Sequence, residues 1–183
     1  MITGEGRGAG LLRGDRAEDL LPPGVVNVVT GSGRTAGDAL ARHPGLAKIV
    51  FTGSTQTGRT IARNAADNLI PCQMELGGKS PHVVFGDVDI ERTVNGVVAG
   101  VFAAAGQTCV AGSRCFVEAG IYDRFVEALV ERTRKITLGH PMLETSDIGP
   151  LALLDQVSKV ESYVASGLRE GASVAAGGRR PQR

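Results

Sequence analysis

"AKIVFTGSTQTGRTIARNAADNLIPCQMEL", residues 47–76, decides the fold. "AKIVFTG" (47–53) is a short β-branched run ending on glycine, the mark of a buried strand that stops at a turn. "STQTGRTIARNAADN" (54–68) changes to a helical period, with Ser54 where an N-cap belongs. "CQMEL" (72–76) is again a strand. Strand, helix and strand joined by short links define a βαβ unit, and hence a parallel sheet.

The same alternation extends both ways. Upstream, "VVNVVTG" (25–31) reads as a strand and "RTAGDALARHP" (34–44) as a short helix stopped by Pro44. Downstream, "PHVVFGD" (81–87) is a fourth strand and "DIERTVNGVVAGVFAAAG" (89–106) a long helix of small residues. The strand "RCFVEAG" (114–120) and the amphipathic helix "IYDRFVEALVERTRKIT" (121–137) follow, then a further βα unit. The fold class expected is α/β: a Rossmann-like parallel sheet portion, then a second α/β portion of different connectivity. The boundary is placed at the glycine pair Gly77–Gly78, which divides the chain into a loose Gly/Arg-rich segment 1–18, a first domain 19–76 and a second 77–183.

Composition narrows the function. The 183 residues carry 20 basic and 19 acidic side chains spread along the chain, so no field gathers nucleic acid or anionic lipid. Charged residues interrupt every apolar run before it reaches membrane-spanning length. A small-molecule partner is expected. Only Leu11 and Leu12 stand where a secretory signal needs a longer apolar core, which makes the cytoplasm the default location. Cys72, Cys109 and Cys115 match no zinc or disulfide spacing; they read as free thiols, with no metal.

Four short stretches can carry chemistry. "FTGSTQTGR" (51–59) opens a helix through Gly53, Ser54 and Thr55, with Gly58 one turn later; free amides there attract phosphate. Ser54 can cap the helix or bind a phosphate oxygen, and Gly58 leaves room for a flat group on the helix surface. A plain capped helix explains the same residues. "TGSGRTAG" (30–37) is a second, weaker glycine turn; the two together outline a crevice of the kind that open sheets use for nucleotides. "MELGGKSP" (74–81) sets Glu75 before the glycine pair, either as a solvated acid at a strand end or as a general base.

"GQTCVAGSR" (106–114) places Cys109 among small and polar residues, where a thiol can be reached and amides can hold an oxyanion. Packing and chemistry both remain open for Cys109 alone. Cys72 and Cys115 read as core. Nothing in the spacing ties His43, His82 or His140 to Cys109, so these read as surface or capping residues.

In that order, "FTGSTQTGR", "MELGGKSP" and "GQTCVAGSR" resemble the aldehyde dehydrogenase superfamily, with Glu75 and Cys109 34 residues apart as the family pattern expects. The resemblance covers about Leu20 to Gly178. It implies oxidation of an aldehyde to an acid with NAD or NADP: Cys109 as the nucleophile, Glu75 as the base on the hydrolytic water. It also implies Gly53, Ser54, Thr55, Gln56, Thr57 and Gly58 along the dinucleotide, and Leu76 and Gly77 beside the nicotinamide.

The resemblance further implies that an oxyanion-hole Asn and a ribose-binding Lys precede residue 1 and that a second ribose-binding Glu follows Arg183. The span is thus expected to be incomplete, the middle of a longer, homo-oligomeric enzyme, and to bind cofactor poorly by itself. Two other readings stand beside it: a non-catalytic nucleotide-binding remnant, and a CoA-acylating or semialdehyde dehydrogenase. Glu75 favours hydrolysis by water.

Overall fold

The computed structural model describes residues 2–3 and 20–181. The chain divides into two compact units, residues 1–76 and 77–183.

In the first unit, β1 (Ile2–Thr3) pairs in parallel with β2 (Val29–Thr30). The rest of the segment expected to be loose, residues 1 and 4–18, lies outside the described residues. A π-type turn at Gly33–Gly37, capped by Ser32, leads into the single-turn helix α1 (Asp38–Ala41). Then come β3 (Ile49–Gly53), α2 (Thr55–Ala66) and β4 (Cys72–Leu76). β3 and β4 pair in parallel over all five residues, from Ile49 opposite Cys72 to Gly53 opposite Leu76. The expected βαβ unit is therefore present. Asn64 of α2, 7% exposed, donates from Nδ2 to Asp38 Oδ1 (2.8 Å), and Asp38 Oδ2 accepts from Arg42 Nε (2.8 Å). Those bonds, Arg42's first, hold the Asp38 carboxyl below its ordinary value.

The second unit repeats the logic. β5 (Pro81–Val84) runs parallel to β6 (Arg114–Val117), and α3 (Ile90–Phe102) makes the crossover. Asp89 caps α3, its Oδ1 accepting from the Arg92 amide at 2.8 Å. α4 (Tyr122–Arg134) packs on α3, and Val84, Val94, Val97, Val98 and Phe125 form the core. Phe125 is fully buried, so its ring is the largest single apolar contribution. α5 (Leu154–Arg169) closes with Gly171 at φ +93° and the Ala172 amide bonded back to the Gly167 carbonyl (2.9 Å), a Schellman ending.

Several expectations need correction. The strand foreseen at 25–31 is only Val29–Thr30, because its one described partner is two residues long. β3 is not buried: among the described residues each sheet has two strands, and Val50 in β3 and Val83 in β5 stay exposed. The long helix ends at Phe102, and Ala103–Gly106 form a 3-10 turn in which Ala104 and Ala105 adopt positive φ. Cys115 is exposed on β6 rather than core, while Cys72 is half-buried. Gly77 and Gly78 bend without positive φ, so the pair is not there to reach a left-handed conformation.

Candidate active site

In the first unit, parallel register brings the candidate residues together. Opposite Gly53 stands Leu76, and opposite Thr52 stands Glu75, so the turn leaving β3 and the acid of β4 share the carboxyl edge of one sheet. That edge is where open α/β sheets receive ligands. At the turn, Ser54 Oγ accepts from the Thr57 amide (3.1 Å) and lies 2.9 Å from Thr57 Oγ1, while the Ser54 carbonyl accepts from Gly58 N–H (2.9 Å). The amides of Thr55 and Gln56 have no acceptor among the described residues, which leaves two donors at the positive end of α2.

Gly58 corrects one expectation. It is buried, and a Cβ there would stand 2.8 Å from Leu76 Cδ2 and 3.6 Å from Met74 Sδ. The space expected for a flat ligand group is filled by β4 side chains, so Gly58 serves to lay α2 on the strand. Glu75 is exposed, and its Oε1 accepts from Gln73 Nε2 at 3.3 Å.

In the second unit the thiol stands on a built loop. Gln107 Nε2 donates to the Ala104 carbonyl (3.0 Å) while its Oε1 accepts from the Ala152 amide (3.1 Å). Thr108 Oγ1 donates to the Ala103 carbonyl (3.3 Å), and the Ala111 amide closes a turn onto the Thr108 carbonyl (3.1 Å). Cys109 occupies the tip of that turn, exposed, and its own amide has no acceptor among the described residues.

A Cβ on Gly78 would stand 3.8 Å from the Cys109 carbonyl, so the glycine segment runs beside the loop. Arg114 Nε ties that segment down through the Lys79 carbonyl (2.9 Å). Lys79 Nζ donates to the Gly78 carbonyl (3.1 Å) and so closes the bend. An open cleft of about 690 Å³ lined by Phe102, Gln107 and Pro150 lies in the same unit, but Cys109 is not on its wall.

His82, read from the sequence as a surface or capping residue, is neither. It is half-buried, and its Nε2 is buried with no hydrogen-bond partner. Its only signal in the sequence is proximity to the glycine pair. No cluster of His, Cys, Asp and Glu able to hold a metal occurs among the described residues, and no described helix is long and apolar enough to cross a membrane.

The first unit thus carries a phosphate-type helix start on one parallel strand pair, and the second an exposed thiol turn beside another. The sequence profile of the aldehyde dehydrogenase family matches residues 15–183, and the chain belongs to that family. It is 49% identical over 172 residues to an aldehyde dehydrogenase of Deinococcus radiodurans, covering 90% of this chain and 33% of that protein. It is 48% identical to the betaine aldehyde dehydrogenase of Brucella ovis, covering 88% of this chain and 33% of the other.

Among solved structures, the NAD+ complex of aldehyde dehydrogenase from Bacillus cereus superposes with a TM-score of 0.94 at 40% identity, over 100% of this chain and 38% of that one. The chain thus spans about a third of the length of the curated relatives it matches.

Proposed function

We propose that this chain carries the catalytic thiol, the general base and part of the dinucleotide site of an aldehyde dehydrogenase that converts an aldehyde to a carboxylic acid. The observation that carries the reading is the five-residue parallel register of β3 and β4, which sets the Ser54 turn beside Glu75 and Leu76. The donor set suits a pyrophosphate: two unpaired amides at Thr55 and Gln56 on a twelve-residue helix, with Gly53 before them. Gly53 through Gly58 hold the dinucleotide, with Thr57 fixing Ser54 and Gly58 seating the helix. Leu76 and Gly77 hold the nicotinamide end; a Cβ on Gly77 would meet nothing within 4 Å, so that backbone can be approached closely. NAD or NADP, when bound, accepts a hydride.

The thiolate of Cys109 attacks the aldehyde carbon, the new C–S bond forms, and the carbonyl π pair moves to oxygen, where the unpaired Cys109 amide donates to it. Departure of the hydride leaves a thioester on Cys109. Glu75 takes a proton from water as its oxygen attacks that thioester; the C–S bond then breaks, releasing the acid and restoring the thiolate.

Peptide-resolved alkylation of the full chain tests the thiol: Cys109 should react faster than Cys72 and Cys115, and equal rates for all three would refute its role. In a chain extended to its relatives' length, Glu75→Gln should keep the first burst of reduced cofactor while slowing acid release by about 10²–10⁴-fold.

A further inference from the structure

We infer that His82 is a positioning residue for the Cys109 turn, and that Gly100 and Gly112 lack side chains because its imidazole fills their space. This rests on Cys109 being the nucleophile.

His82 is the second residue of β5, opposite Cys115 of β6. Gly100 lies in the last turn of α3, and Gly112 closes the thiol loop three residues after Cys109. The two glycines meet directly: the Gly112 amide donates to the Gly100 carbonyl at 3.1 Å. A Cβ on Gly100 would stand 2.7 Å from His82 Cε1 and 3.0 Å from Nε2. One on Gly112 would overlap His82 Nε2 and Cδ2 and stand 2.6 Å from Cε1. The Nε2 edge of the ring is therefore wedged where the loop is stitched to the helix.

Neither glycine has positive φ, so conformational freedom does not explain them. Steric room for the ring does. Nε2 pays for this position by staying unpartnered. The wedge fixes the spacing between β5, the end of α3 and the loop, and the Cys109 turn begins within that frame. The ring lies at the base of the loop, against Gly112 and Gly100.

The test compares the full chain with Gly112→Ala, His82→Ala and the double variant, reading thermal midpoint and the alkylation rate of Cys109 relative to Cys72 of the first unit. Gly112→Ala should lower both, the rate ratio by about tenfold, since directly packed residues couple by around the energy that a factor of ten represents. His82→Ala should lower the ratio too. The double variant should regain most of what Gly112→Ala loses.

A double variant no better than Gly112→Ala in either readout overturns the wedge. Recovery of the midpoint without the ratio overturns the positioning role, leaving His82 as packing only. Should Gly112→Ala be insoluble, a soluble double variant counts as recovery; should both be insoluble, an unchanged ratio in His82→Ala overturns the inference. If Cys109 of the unaltered chain reacts no faster than Cys72, the nucleophile reading fails instead, and the midpoints still judge the wedge.

Discussion

Ala104 and Ala105 hold (φ, ψ) of (51°, 37°) and (56°, 34°), left-handed conformations that cost an L-residue roughly 1–2 kcal/mol each. What the chain obtains is aim. The Ala104 carbonyl turns to accept from both the Gln107 amide (3.1 Å) and Gln107 Nε2 (3.0 Å), and Gln107 fixes the approach to Cys109. Ala104→Gly removes the steric penalty but gives the unfolded chain more freedom, worth about 0.4–1 kcal/mol in the other direction. The net is a gain between roughly zero and 1.5 kcal/mol.

Ala104→Asn should also stabilise, because its short side chain tolerates the left-handed region, whereas Ala104→Val should destabilise by about 1–2 kcal/mol or more. Urea unfolding of the full chain, followed by circular dichroism because there is no tryptophan, would read this as a midpoint moving by about 0.3–1 M per kcal/mol. If Gly and Asn both destabilise while Val is neutral, the left-handed geometry at Ala104 is wrong.

Phe125→Ala empties the center of the second core and should cost about 3–5 kcal/mol, a large part of a domain's total stability, seen as early loss of the helical signal on heating. Burial raises the Cys115 thiol above its ordinary value even though the residue is exposed overall, so its alkylation should set in at higher pH than that of a free cysteine peptide; a lower onset would contradict the desolvation. Gly77→Ala meets no clash and should leave the thermal midpoint level or slightly higher while weakening dinucleotide binding in the extended enzyme; a fall of several degrees would show that the glycine serves folding.

What could be read from the sequence was local and periodic. β4 occupies the residues foreseen for it, 72–76, and α2 starts after Ser54 as expected, because a period change and an N-cap are written in adjacent residues. The errors arose where distant residues decide. Ala103–Ala105 are the best helix formers, yet the helix ends before them, and Thr108 and Gln107 claim the carbonyls of Ala103 and Ala104. Val25 and Val26 have the composition of a strand but no described strand partner, and both are exposed. Cys115 sits in an apolar stretch on a sheet of two strands, which leaves it uncovered.

Glycine shows the same division within the candidate site. A glycine-rich sequence invites one explanation for all, either turns or ligand approach, but the contacts separate three kinds. Gly106, at φ +74°, is required by the backbone. Gly58, Gly100 and Gly112 are required by side chains of the chain itself: Leu76 for the first, His82 for the other two. Gly77 meets neither demand, having ordinary φ and open space where its Cβ would be. Gly33, Gly37, Gly96 and Gly120 share those two features, so folding is silent at all five, and the dinucleotide reading supplies a reason at Gly77 alone. That makes Gly77, rather than the better-packed Gly58, the position in the dinucleotide reading where a single methyl group distinguishes binding from folding.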